Sequence, residues 1–379
     1  MVACANDFAQ APGHRSFEAR ISLSVLLYLI YGDDPRYHLE LTFSIASALR
    51  FLKDDPADIR VILMTDQANA RPDLGIEQVI ISDADLRSWQ LDGRFNHAVK
   101  QGALRQALHL FNDKVILMDT DTLLRAHPKL LFQRVSKGRT LMNTDEGPLS
   151  GAKSVRRYDA MFQAAVGQLE GYRLSLDRRM YNSGVCGIDP ADGAMMDRAM
   201  ALTLALWQLD PIFTAEQLAT SVVFQTDTQV SCCDAEVDHY WPRARTYFHS
   251  QFAAAYPKRD LAAFQRLVTV PPVIEEVPSA GVKLRVLARL KTLQRRNDKV
   301  YGYAYLSYLH AIARADKPAL ANACADQALN TLMYGCRPRH PFASRDFARF
   351  GPARIAAERW LEPRIAARWS AYWATFSAG

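Results

Sequence analysis

Residues 113–124 read DKVILMDTDTLL. Val115 to Met118 form an unbroken apolar run, and two carboxylates, Asp119 and Asp121, follow it one residue apart. A short apolar run bounded by polar residues is the pattern of a strand buried on both faces, as parallel strands are. As that strand opens into a loop, both carboxylates can turn to one side.

The same grammar recurs upstream. Ser24–Tyr31 (SVLLYLIY) is apolar and breaks at Gly32-Asp33-Asp34-Pro35. Leu39–Leu52 has helical spacing. Ile59–Met64 is a second buried strand ending at Thr65-Asp66, and Val79–Ile81 is a third. Asn96 is a candidate cap for a helix running to about Phe111. Strands alternating with helices predict an α/β domain with a mainly parallel sheet. In such sheets ligands bind beyond the carboxyl ends of the strands. Three of those ends carry acid here: Asp33 and Asp34, Asp66, and Asp119 with Asp121.

Downstream, residues 141–256 are mixed in pattern. Val270–Gly281 holds three prolines and reads as a boundary. The chain therefore divides into an N-terminal segment (1–20), an α/β domain (21–269), a linker (270–281) and a basic, helical C-terminal region (282–379). The net charge of +6 suits an anionic ligand, but no Lys/Arg block marks a nucleic-acid arm, so no nucleic-acid partner is expected. Six cysteines lie scattered without a CxxC, which fits a reducing compartment. The first 20 residues lack the basic start and apolar core of a signal peptide. Val25–Tyr31, the longest apolar run, is too short to span a bilayer. The expected location is cytoplasmic.

Two carboxylates held together repel unless a cation lies between them. A Mg²⁺ or Mn²⁺ ion bridged to a diphosphate would satisfy Asp119 and Asp121, because hard cations take oxygen ligands. A second such pair, Asp83-Ala84-Asp85, precedes Leu86-Arg87-Ser88-Trp89 and reads as the acidic start of a helix. Asn182-Ser183-Gly184 precedes apolar Val185–Ile188, as a turn entering the sheet would. Thr214-Ala215-Glu216-Gln217 has the form of a capping box, with Glu216 reaching back. Asp66 is also a candidate to satisfy backbone donors in its own turn.

Taken in order, YLIYGDD with Tyr37, VILMTD, HAVKQGALRQAL, DKVILMDTDTLL, MYNSGVCGID, AEQLATSVVF and DHYWPR resemble the motif series of GT-A-fold glycosyltransferases, specifically glycosyltransferase family 8 and its bacterial relatives. The resemblance covers about Leu23 to Tyr256. It implies a GT-A-like sheet flanked by helices and the transfer of a sugar from a nucleotide-diphosphate donor, with UDP favoured. Asp119, Asp121 and His239 would hold the metal. Asp33 would read the uracil edge or ribose, and Tyr31, Asp66, Lys100, Asp119 and Thr120 would line the rest of the nucleotide site. Asp145, Asn182 and Gln217 would line the donor sugar and carry catalysis.

The late motif departs from the family: His239 is followed by Tyr240-Trp241-Pro242-Arg243 and not by glycine and Lys-Pro-Trp. Arg243 or Arg245 is then the candidate for the phosphates, and His249 the alternative metal ligand. The family implied is retaining. Gln217 is a poor nucleophile, so same-face attack is favoured over double displacement. A sugar-nucleotide nucleotidyltransferase is the alternative, ranked second because the first loop is acidic; a non-catalytic nucleotide-sugar-binding protein is another. The acceptor, whether saccharide, lipid-linked or protein, is not legible. In the tail, Trp369, Tyr372, Trp373 and Phe376 fall at helical spacing. Packing on the catalytic domain is favoured for this stripe, with peripheral membrane contact at the inner face as the alternative.

Overall fold

The computed structural model describes residues 23–32, 34–240, 245–275, 281–291, 299–335, 351, 355 and 358–377. The first half alternates as expected: β1 (Ser24–Ile30), α1 (Pro35–Leu52), β2 (Ile59–Thr65), β3 (Glu77–Ile80), α2 (Asp83–Trp89), α3 (Val99–Phe111), β4 (Val115–Met118) and β5 (Thr122–Leu124). There follow α4 (Lys129–Phe132), β6 (Arg139–Met142), β7 (Asp145–Pro148), α5 (Val155–Ala164), a small hairpin of β8 (Gln168–Leu169) and β9 (Tyr172–Arg173), then β10 (Arg179–Tyr181) and β11 (Val185–Ile188). After α6 (Met195–Leu209), α7 (Ala215–Asp227), β12 (Gln229–Cys232) and β13 (Val237–His239), the chain is helical: α8 (Arg245–Ala255), α9 (Leu261–Thr269), α10 (Val282–Lys291), α11 (Lys299–Ile312), α12 (Pro318–Gly335) and α13 (Pro363–Ser377).

Seven strands form one sheet in the order β12-β6-β11-β4-β1-β2-β3. β3, β2, β1 and β4 run parallel, as do β6 and β12; only β11 is reversed, antiparallel to both of its neighbours. The fold is thus the mainly parallel α/β sheet flanked by helices that the sequence predicts. Two short antiparallel pairs, β10 with β7 and β13 with β5, stand apart from it.

Side chains of β1 alternate between two cores. Val25 and Leu27 enter the one built with α3, α6 and α7, whereas Leu26, Tyr28 and Ile30 enter the one built with α1. The second core also contains Tyr301, Tyr308, Leu329, Trp369 and Trp373, so helices from beyond residue 282 extend the core on the α1 side, with α12 packed on α8. The 270–281 boundary is pinned to α8 by reciprocal bonds between the Gln251 amide and the Glu275 backbone, at 2.9 and 3.0 Å. Residues 276–280 of that stretch lie outside the described residues.

Several local expectations change. α1 starts a turn earlier than its apolar spacing shows, because Pro35 sits in its first turn and the Asp34 carboxylate caps it through the Arg36 N–H at 3.0 Å. Asn96 does not cap α3. It opens a 3-10 turn, and the helix follows from Val99 without a side-chain cap. Glu216 is no capping-box partner: Thr214 makes no side-chain cap bond, and the carboxylate turns inward. The Asp83/Asp85 pair does sit in the first turn of α2, capped by Ser82, as read.

The aromatic stripe of α13 is consumed by packing. Trp369 and Trp373 are fully buried and Tyr372 nearly so, which takes this stripe away from the membrane contact considered for it. The side chain of Phe376 lies outside the described residues. Among the described residues no helix is long and apolar enough to cross a membrane. Because Trp373 is fully buried, Trp373→Ala is expected to destabilise the chain by about 3–5 kcal/mol. Urea unfolding would show the loss; a change under about 1 kcal/mol would mean that α13 adds little to the core.

Candidate functional site

The site is made where the one reversed strand begins. β11 pairs with β4 so that Val185 faces Met118. The chain therefore enters β11 beside the point where it leaves β4, and the Asp119 N–H donates to the Gly184 carbonyl at 2.8 Å. This puts Asn182-Ser183-Gly184 against Asp119-Thr120-Asp121. The short pair of β13 with β5 then brings His239 opposite Thr122, next to the same loop.

Asp119, Asp121 and His239 converge, with one ligand atom from each lying within 4.8 Å of the others. His239 Nε2 is 3.2 Å from Asp121 Oδ1. Its Nδ1 is 3.0 Å from Asn182 Oδ1. That amide oxygen also accepts from the Gly184 N–H at 2.9 Å, which fixes it as the acceptor and places a proton on His239 Nδ1. Nε2 is then the nitrogen left for a cation, oriented by a neighbouring amide as metal-binding histidines are.

Gly184 has a steric reason. A Cβ there would meet Cε1 and Nδ1 of His239 at 2.5 Å. Burial alone would lower the His239 pKa, but the hydrogen bond and charge of Asp121 raise it above the usual value. Burial would raise Asp121, and His239, with Arg245 and Lys100 beyond it, brings it below the usual carboxylate range.

Cations surround the carboxylates. Lys100 Nζ donates to Asp119 Oδ2 at 2.6 Å. Its burial would favour the neutral amine, yet Asp119 and then Glu216 reverse that and raise its pKa. Arg245 lies 3.9 Å from Asp121 Oδ2 and stacks over Tyr37 at 4.8 Å. Its guanidinium forms a two-pronged pair with Glu40, a wholly buried carboxylate of α1 that also accepts from Thr120 Oγ1 at 3.1 Å. His249 points to Glu40 and not into the acidic cluster, so it does not replace His239. Thr120 is likewise turned to Glu40.

A second limb leads from the acidic cluster to α7. Asn182 Nδ2 donates to Glu146 Oε1 at 2.9 Å, and Gln217 Nε2 donates to Glu146 Oε2 at 3.2 Å. Glu146, absent from the sequence reading, joins these two expected residues. Asp145 is instead paired with Arg179 at 2.6 Å on the exposed side. Glu216, beside Gln217, accepts from Ser183 Oγ at 3.0 Å and Thr220 Oγ1 at 3.3 Å. Burial pushes it up to about 7, against the pull of Lys100. Glu40 was missed too; its only sequence signal is a charge amid the apolar face of α1.

The remaining expected residues fall as follows. Tyr31 donates its hydroxyl to the Asn96 carbonyl at 2.7 Å. Asp66 accepts from the Asn69 N–H at 3.0 Å and the Gly32 N–H at 3.4 Å, so it ties two strand-end loops together. Asp33 and Arg243 lie outside the described residues. A cavity of about 370 Å³ opens elsewhere, lined by Phe43, Leu123, Leu124, Phe248 and Leu267; Asp119, Asp121 and His239 do not line it.

No family profile and no curated protein matches the chain. Among solved structures it is similar to mouse xyloside xylosyltransferase 1 in its apo form, at 10% identity over 56% of this chain and 85% of that one, with a TM-score of 0.39. It is also similar to the apo WbbM bifunctional glycosyltransferase, at 10% identity over 65% of this chain and 52% of that one, with a TM-score of 0.38. Likeness this remote says nothing of what the chain binds.

Two outcomes follow from the geometry. Gly184→Ala must displace the His239 ring, so the affinity for Mn²⁺ is expected to drop about 10–100-fold, as when a ligand's orienting partner is lost. Calorimetric titration measures it, and unchanged affinity would remove His239 from the ligand set. In addition, His239 Nε2 must shed its proton to bind a cation. Affinity should therefore climb as pH rises through the raised His239 pKa and level off above it. His239→Gln should flatten that part of the curve.

Proposed function

We propose that the chain is a glycosyltransferase that takes a sugar from a nucleoside-diphosphate donor, a UDP-sugar, with the help of a divalent ion. The observation that carries this reading is the convergence of Asp119, Asp121 and His239 at the carboxyl edge of the sheet, joined through Asn182 and Glu146 to Gln217. Two carboxylates and one imidazole suit Mn²⁺ better than Mg²⁺, which favours an all-oxygen shell. The ion would neutralise the departing diphosphate as a Lewis acid.

The chain's own residues supply the rest. Lys100 and Arg245 offer charge to phosphate oxygens from either side of the loop, Arg245 filling the place of the family's lysine. Asn182 and Gln217, held by Glu146, present amides to sugar hydroxyls. Gln217 has no anionic oxygen to offer the anomeric carbon, so we favour same-face attack with retention of configuration, the leaving diphosphate taking the acceptor proton. The described cysteines Cys186, Cys232, Cys233 and Cys324 are free thiols, compatible with a cytoplasmic enzyme.

The test pairs two aspartates. With Mn²⁺ present, UDP is expected to raise the melting temperature of the native chain and of Asp83→Ala, and to have no effect on Asp121→Ala. Sugar release from a UDP-sugar should follow the same order. Equal behaviour of the two variants, or stabilisation by purine nucleotides with none from UDP, would sink the proposal.

A further inference from the structure

The helix α10 carries a surface that the other described residues leave bare. At 100° per residue its inward side is Leu284 and Ala288, and Ala288 is buried in the α1-side core. Val282, Val286 and Leu290 recur every fourth residue along the opposite side, where they are 76%, 50% and 58% exposed. Leu287 is partly exposed next to them. An aliphatic ridge pointing away from the core gains nothing in water and is the kind of exposed apolar feature that marks an interaction surface.

Its flanks carry one sign of charge. Arg285 and Arg289 border the ridge on one side and Lys283 on the other, and none of the three makes an ion pair among the described residues. In the sequence, residues 277–297 contain six basic residues and no acidic one, equal to the whole net charge of +6.

We propose that α10 is an interfacial helix that seats this chain on an anionic lipid surface. Val282, Val286 and Leu290 would dip below the headgroups while Lys283, Arg285 and Arg289 lie level with lipid phosphates. Charge complementarity selects this occupant. A second copy would bring like charges together. Nucleic acid would draw the basic residues but leave an aliphatic ridge, with no aromatic ring to stack on bases, facing phosphate. The role falls to α10 because the aromatic stripe of α13 is already spent in the core. The proposal does not depend on sugar transfer, and its readout uses none.

The experiment is co-sedimentation of the full chain with phosphatidylcholine vesicles, with and without about a third phosphatidylglycerol, at low and high salt. Binding is expected to the anionic vesicles, to weaken with salt and to be slight on phosphatidylcholine alone. Val286→Asp/Leu290→Asp should abolish it, and Arg285→Glu/Arg289→Glu should weaken it at least about fivefold, given the contribution of each basic residue near an anionic surface. Both variants should keep the native melting temperature, since the altered side chains are exposed. Equal binding to both vesicle types would overturn the proposal, as would undiminished binding by the two variants. It would also fail if the ridge instead mediated self-association in sedimentation velocity, or capture of an oligonucleotide or an acidic protein without vesicle binding.

Discussion

The antiparallel pairing of β11 with β4 is the constraint on which the site depends. Parallel neighbours send their loops to the same edge only by way of long crossovers. A reversed strand does something different: it delivers the chain to that edge at its beginning. Asn182, Ser183 and Gly184 therefore meet Asp119 to Asp121 with backbone contact, and the Asp119 N–H bond to the Gly184 carbonyl locks the two loops. Each residue of the turn then has one task. Asn182 orients His239, Ser183 engages Glu216, and Gly184 makes way for the imidazole.

Electrostatics explain how so many acids share this edge. Asp119 is answered by Lys100, Asp121 by His239 and at longer range Arg245, and Glu40 by Arg245 with His249. Glu216 accepts from the hydroxyls of Ser183 and Thr220, and burial pushes its carboxyl up to about 7 against the pull of Lys100. The charges form a lattice and not a set of separate pairs. The neighbouring cationic side chains thus offset the charge of the two carboxylates of the acidic loop.

Much of the fold was legible because its signals are local. β4 matches its apolar run residue for residue, and β1 and β2 differ by a residue at one end. The Asp119, Asp121, His239 cluster was legible only as a resemblance, since residues 119 and 239 share no local pattern. Local pattern did not give which neighbours each side chain meets. Glu216 has a capping-box spacing, yet a buried carboxylate is better satisfied by Ser183 in the turn entering β11 than by a solvated helix end. Asp145 and Glu146 are adjacent in a strand, so their side chains leave on opposite faces, and it is the second that faces Asn182. Sequence offers no means to choose between them without the strand's register.

The shared core also sets an order of events during synthesis. The acidic loop is complete once residue 121 has left the ribosome, and its imidazole partner once residue 239 has. The helical layer built on α8, however, is not closed until Trp369 and Trp373 pack against α11 and α12, about a third of the chain later. Until then the nascent protein carries apolar surface of α11 and α12 open to chaperones. Messages broken before the last helix would yield products that hold the whole acidic cluster and still advertise themselves for degradation.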